Sequence, residues 1–345
     1  MPSERFQNAL RGIPQAVPPI WMMRQAGRYH RHYQELRKKH SFVDLCRVPE
    51  LAAEAARGPV ADFDFDLAIL FSDLLFPLEA LGLSLSYEDS GPKLDPRLEP
   101  SHIKSFRPLD EALPHLKFQG EAVRRTREVI PADKSLIGFV GGPWTLFVYA
   151  VEGSHMGNLR RAKSDPQFYR DFAERMVPLL RENIRLQLDG GAEVVMILDT
   201  AAGEVAPDVF RRELLGDVAF LAEQFPGRIG YYSRGSQPAH LRDPRIAERA
   251  FGGVGVDWRW SMPEALSLFS PHGFVQGNFD PALLFLSPAD FERELRRWLD
   301  PILELEPEQR RGWVCGLGHG ILPATPEENV RTFVHTVREL FGERP

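Results

Sequence analysis

The chain has 345 residues, 43% of them hydrophobic, enough to bury the core of one large domain or of two ordinary ones. Its formal net charge of −6 and pI near 6.0 argue against nucleic acid or a membrane surface as a partner, so any anion site must be local. No stretch approaches the ~20 apolar residues that span a bilayer; only Cys46 and Cys315 are present and the N-terminus lacks the apolar core of a secretory signal, which points to the cytoplasm.

Short apolar runs rich in Val, Ile, Phe and Tyr, each closing on a polar residue or Gly, recur along the chain and predict strands. In order they are AVPPIWMM from Ala16, DLAILFSD from Asp66, SLIGFVGG from Ser135, EVVMILDT from Glu193, RIGYYSRG from Arg228, GVGVDW from Gly253, GFVQGNFD from Gly273 and WVCGLGHG from Trp313. Helical patterns fill the gaps, as parallel strands joined by crossover helices require. The clearest runs from Pro166 to Leu188, where Phe168, Phe172, Met176, Leu180, Ile184 and Leu188 share one face. Asp165 is its predicted N-cap, Pro178 its predicted kink, and Gly190 and Gly191 follow its end. Ser261 with Glu264, and Thr325-Pro326 with Glu328, have capping-box spacing at two later helix starts. Eight strand-helix units predict one domain over residues 1–345, a (β/α)8 TIM barrel with its cleft at the C-terminal ends of the strands. The stretch from Ser86 to Pro114, with SGPKLDPRLEPSH, reads as an excursion within it. A doubly wound sheet stays open, because periodicity does not fix strand order.

In such a barrel the polar residue closing each run becomes a candidate: Arg24 and Arg28, Asp73, Tyr149, Asp199 and Thr200, Ser233 and Arg234, Asp257, Asn278 and Asp280, and His319. Residues 24–47 carry seven Arg and Lys against two acidic residues in an acidic chain. Guanidinium forks match carboxylates bidentately, so this patch points to an anionic small ligand. For Arg31, Lys38 and Lys39 a solvated helix face explains the charge as well. Asp73 ends an apolar run where a charge needs a partner, either a ligand or one of the arginines. Tyr149 fits packing as well as chemistry, and His319 lies among the glycines of GLGHG. No CxxC or HxC pairing exists and no metal site is predicted. Glycines at the ends of the last two runs keep a phosphate-binding barrel open.

Longer segments carry more information. PPIWMMRQAGRY from Pro18 and GFVGGPWTLFVYAVEG from Gly138 closely resemble the two signature motifs of uroporphyrinogen decarboxylases. The likeness continues through AILFSD to Asp73, VDW at Asp257, QGNFDP from Gln276 and GLGHGILPATPEENV from Gly316, in the family's order. The resemblance implies a single (β/α)8 domain, commonly a homodimer, without metal or organic cofactor. Such enzymes convert the four acetate side chains of uroporphyrinogen III to methyl groups, giving coproporphyrinogen III in haem biosynthesis.

Carried onto this chain, the resemblance implies a tetrapyrrole-binding loop at Arg24, Gln25, Ala26, Gly27 and Arg28, and a central aspartate at Asp73. It also implies a tyrosine at Tyr149, a hydroxyl at Thr200, a histidine at His319 and a further arginine at Arg37, with Phe42 walling the cleft. HRHYQELR departs from the family's pattern, which puts His30 and Arg31 at the lip of the site. On this reading the catalytic set is Asp73, Arg28, Tyr149 and His319. Ionised Asp73 receives pyrrole N–H groups while Arg24 and Arg28 clamp carboxylates. His319 shuttles the proton, since an ordinary imidazole pKa of about 6.5 suits that task. Two other readings are a zinc-dependent methyltransferase on a similar barrel, which needs a thiolate-rich site, and a tetrapyrrole carrier that binds without reacting.

Overall fold

Seven of the eight apolar runs form parallel strands in the computed structural model, which describes residues 2–88, 91–249 and 251–342. Asp89 and Ser90 of the predicted excursion, Ala250 and both extreme termini lie outside the described residues. The strands are β1 (Leu67–Ile69), β2 (Leu85–Glu88), β3 (Gly91–Leu94), β4 (Ser135–Gly141), β5 (Val194–Leu198), β6 (Ile229–Tyr232), β7 (Gly253–Gly255), β8 (Phe274–Phe279) and β9 (Trp313–Leu317). β2 and β3 pair as an antiparallel hairpin inside the predicted excursion, and the other seven make one sheet. Every residue of those seven strands is buried, which is why they read as continuous apolar runs rather than alternating ones.

The sheet order is β1-β4-β5-β6-β7-β8-β9, each strand beside its sequence neighbour. A doubly wound sheet reverses its order at a switch point, so that alternative is excluded. The predicted first strand from Ala16 is not formed; it is reduced to a single parallel bridge between Ile20 and Cys315. Pro18 and Pro19 have no N–H to give to a ladder. What remains still reaches both edges of the sheet. Trp21 N–H donates to the Cys315 carbonyl at 3.0 Å, Cys315 N–H to Pro19 at 2.9 Å, and Asp66 N–H to Ile20 at 3.0 Å.

Helices pack outside the sheet. The longest spans Pro166–Asp189, begins with the Asp165 side chain accepting from Phe168 N–H at 3.0 Å, and buries all six predicted apolar positions. Its Gln187 amide is bonded to both backbone groups of Phe139, at 2.8 and 2.9 Å, locking the helix to β4. The helices Met262–Phe269 and Glu327–Leu340 start where expected, but neither forms a capping box. Thr325 instead donates to the Leu322 carbonyl at 2.8 Å, because Pro326 occupies the cap. Among the described residues no helix is long and apolar enough to cross a membrane.

Polar groups pin the N-terminal ends of the strands. Arg5 meets Asp66 at 3.1 Å, Asp66 also accepts from Ile20 N–H at 2.8 Å, and Glu193 accepts from Gln7, Ser135 and Leu136 N–H. That end is occupied by structure, which leaves the opposite end for a site.

Candidate active site

Past Trp21 the chain turns sharply over the C-terminal ends of the strands. Arg24 takes a left-handed backbone conformation, φ 61°, sparsely populated for a residue with a Cβ. The turn is braced from beneath by Gln25, whose fully buried amide donates to the Leu67 carbonyl of β1 at 2.9 Å. Tyr29 O–H in turn donates to the Gln25 carbonyl at 2.8 Å. The Gln25 side chain is therefore a strut beneath the turn and does not line the cavity. Gly27 also has a local task, its carbonyl accepting from His30 N–H at 2.9 Å. The stem of Arg24 crosses directly over Gly320, where a Cβ would fall 2.5 Å from Arg24 Cδ.

His30 is not at the lip of the site. It is fully buried, with Nε2 2.7 Å from Asp62 Oδ2. Arg31 is exposed at the start of the helix Arg31–Arg37, its N–H donating to Glu327 at 2.6 Å.

Two cavities open at this end of the sheet. One of about 220 Å³ is lined by Arg24, Ala26, Asp73, Tyr149, Thr200 and His319, with Met23, Ile69, Phe71, Phe139 and Leu198 as apolar wall. The other, about 390 Å³, is lined by Arg28, Tyr33, Arg37, Phe42, Tyr87 and again Asp73. Asp73 lies at the junction, with cationic side chains in both compartments. Residues from the first turn, the end of β1, the helix Pro143–Glu152, the end of β5 and the end of β9 thus converge although they are remote in sequence.

Asp73 is half-buried, with one face on the cavity. Its Oδ1 accepts from Leu75 N–H at 2.8 Å, and no ion pair to it forms among the described residues. Burial pushes its pKa up from the ordinary carboxylate value; the Leu75 bond, the neighbouring Tyr87 hydroxyl and the Arg24 charge only partly offset this. The carboxylate is held ready for an outside donor.

His319 is held neutral. Burial first, then the charges of Arg24 and Arg234 and the neighbouring His155, push its pKa down to about 3. Its ring stacks on Tyr232 with centroids 5.9 Å apart, and Nδ1 is 3.1 Å from the Tyr232 oxygen. Tyr232 spends its only proton on the Gly318 carbonyl at 2.7 Å, so it can only accept from His319. Nδ1 must then carry the ring proton, leaving Nε2 as an acceptor. The expectation of a shuttle with a pKa near 6.5 is corrected accordingly.

Tyr149 O–H is 2.8 Å from His155 Nδ1, and burial raises the tyrosine's pKa while burial and Arg234 lower that of the histidine. His155 and Tyr87 escaped the sequence reading. One lies past a helix end in EGSHMGN and the other on the hairpin, so neither closes an apolar run. Arg37 is exposed, donates to the His40 carbonyl at 2.6 Å and lines the outer cavity.

Other strand-end candidates do structural work. Asp199, fully buried and pushed up to about 6 by burial, accepts from Thr145 N–H at 2.9 Å and Thr145 O–H at 2.7 Å. Asp257 takes Gly235 N–H and Arg259, each at 2.6 Å. Asn278 bridges the carbonyls of Asp257 and Trp260, and Asp280 caps the turn at Ala282. Ser233 is buried. Cys46 and Cys315 are buried on separate elements with thiols pushed well up by burial, which opposes the thiolate site of the methyltransferase reading. Among the described residues no group of three or more His, Cys, Asp or Glu could hold a metal ion.

Known proteins match this chain throughout. A uroporphyrinogen decarboxylase of Synechococcus sp. (strain JA-2-3B'a(2-13)) is 36% identical over 351 residues, covering 97% of each chain. One from Chloroflexus aggregans (strain MD-66 / DSM 9485) is 35% identical, covering 97% of this chain and 95% of its own. A solved methyltransferase from Methanosarcina mazei superposes with a TM-score of 0.74 over 98% of both chains; at 21% identity this bears on the fold alone. The family described as Uroporphyrinogen decarboxylase (URO-D) matches residues 1–340, and the chain belongs to it.

Proposed function

We propose that this site decarboxylates the acetate side chains of uroporphyrinogen to methyl groups, giving coproporphyrinogen in tetrapyrrole biosynthesis. The observation that carries the reading is Asp73: a carboxylate without an ion-pair partner among the described residues, at the junction of two cavities, one walled by Arg24 and the other by Arg28 and Arg37 with Glu88.

Losing carbon dioxide from an arylacetate leaves an electron pair on the methylene carbon, and the pair needs a sink. Protonating a ring carbon of the substrate's own pyrrole makes a cationic iminium that serves as one. The bond from methylene to carboxylate then breaks, its pair enters the ring, and carbon dioxide departs. A proton adds to the methylene carbon to complete the methyl group, and the ring carbon releases its proton to restore the pyrrole. Each cycle consumes one carboxylate and one proton.

Ionised Asp73 accepts the pyrrole N–H groups and opposes the positive charge of the ring, an electrostatic effect preorganised before the substrate arrives. Arg24, Arg28 and Arg37 take ring carboxylates and fix which acetate reacts. Tyr149 and Thr200 supply hydroxyl donors, and His319, neutral at rest, accepts through Nε2.

The reading further takes the chain as a cytoplasmic homodimer, as its family implies, and Pro19–Trp21 as the eighth strand of a closed (β/α)8 barrel. The three backbone hydrogen bonds that tie this segment to both sheet edges support that closure. Incubating the protein anaerobically with reduced uroporphyrinogen tests the activity: products with successively fewer carboxyl groups are expected. Tight binding without loss of carbon dioxide would make the protein a carrier.

A further inference from the structure

The arginines of the site described so far all come from one wall. Arg24, Arg28 and Arg37 follow the Pro19–Trp21 segment, which is bonded to β9 on one side and to the start of β1 on the other. Counted in either direction around the sheet, β6 is the fourth neighbour of that segment, so the two stand on opposite walls. Arg234 stands just past the end of β6, after Ser233.

Arg234 is half-buried and its guanidinium forms no ion pair among the described residues. It lies over the Trp258 ring, 5.9 Å from the centroid. The backbone beneath it is fixed by Asp257, which accepts Gly235 N–H at 2.6 Å. On its other side the chain passes so close that a Cβ at Gly203 would fall 2.0 Å from the Arg234 carbonyl oxygen. The field of its charge reaches His319, His155 and Tyr232, the same groups that feel Arg24. A tetrapyrrole carries carboxylates around its whole rim, and clamps on a single wall leave the far side unmatched.

We propose that Arg234 is a substrate-binding, specificity-determining residue that holds a carboxylate on the side of the tetrapyrrole remote from Arg24, Arg28 and Arg37. This rests on the polycarboxylate reading of the site.

The test compares Arg234→Gln and Arg234→Lys with the wild type, using fluorescence titration with uroporphyrin, the stable oxidised octacarboxylate. Losing a charge-assisted bond in Arg234→Gln weakens binding about tenfold to a hundredfold, and Arg234→Lys restores most of it. In turnover the loss falls on KM rather than kcat. NMR of the ligand-free protein shows His319 titrating at higher pH in Arg234→Gln, as removing a positive charge near the ring requires. If Arg234→Gln fails to fold, Arg234→Met, which keeps the stem over Trp258, takes its place in all three measurements. Binding within twofold of wild type, or an unmoved His319 titration, overturns the assignment. Wild-type protein that binds no uroporphyrin overturns the polycarboxylate reading and the assignment together.

Discussion

Replacing Asp73 by Asn keeps the shape of the side chain and the acceptor for Leu75 N–H while removing the charge. Two losses follow, and they fall on different kinetic constants. One carboxylate oxygen is committed to Leu75, so the other faces the substrate's N–H groups. In Asp73→Asn the amide oxygen stays on Leu75 and the NH2 meets those N–H groups donor to donor, so the charge-assisted bonds are lost in the bound substrate and the transition state alike, at about 1.5–3 kcal/mol each, which raises KM. The second loss arises only once the ring is protonated. At about 5 Å and an effective dielectric near 20, a unit charge opposite a cationic ring is worth about 3 kcal/mol, or about a hundredfold in kcat. Asp73→Asn should thus lower kcat about a hundredfold and kcat/KM about a thousandfold or more, measured with uroporphyrinogen under anaerobic conditions. Stability should move the other way. The folded-state pKa lies above the unfolded 3.8, so the wild-type contribution is fully present below that pH and is lost as pH rises through the folded value. At pH 7 the variant should melt no lower than wild type, the difference vanishing below about pH 4. A variant whose kcat is unchanged and whose KM alone rises would refute the electrostatic role and leave Asp73 as a binding group.

Gly320→Ala places a methyl group against the stem of Arg24; KM should rise about tenfold with little change in kcat, as expected for one displaced charge-assisted bond, and an unchanged KM would show that Arg24 does not grip the substrate. His319, pushed down to about 3, should remain neutral at pH 5 in an NMR titration of the free protein. Because its folded value lies below the unfolded 6.5, it costs stability as pH falls from 6.5 toward 3, so His319→Gln should blunt acid unfolding over that window; titration of the wild-type ring near 6.5 would contradict this. Asp199→Asn should retain kcat within about threefold, because the amide oxygen can still accept from Thr145 and the Tyr231 hydroxyl can turn to accept from the amide; a loss of about a hundredfold, the scale of a removed transition-state contact, would make Asp199 part of the chemistry.

How much was legible beforehand follows from which residues answer to local rules. Parallel strands buried on both faces are continuous apolar runs, so seven were readable directly. The run from Ala16 met the same pattern, yet two prolines removed the donors a strand needs. Arg24, Asp73, Tyr149, Thr200 and His319 were visible because each stands at or just beyond the end of such a run or within a long family motif. The state of His319 was not visible. It depends on Arg24, Arg234, His155 and Tyr232, brought together by the sheet from three other parts of the chain. Gln25 looked like a site residue for the opposite reason: its motif is diagnostic of the loop, and sequence does not tell a side chain that braces a loop from one that uses it. His30 was misplaced likewise, its partner Asp62 lying on the helix Pro49–Phe63.

The most direct test of the central claim is turnover of uroporphyrinogen in deuterated water with the products analysed by mass and by NMR. Stepwise loss of carbon dioxide, with one solvent deuterium entering each new methyl group, is what decarboxylation through a protonated pyrrole predicts. A substrate that binds yet keeps all its carboxyl groups, or new methyl groups that carry no solvent deuterium, would contradict it.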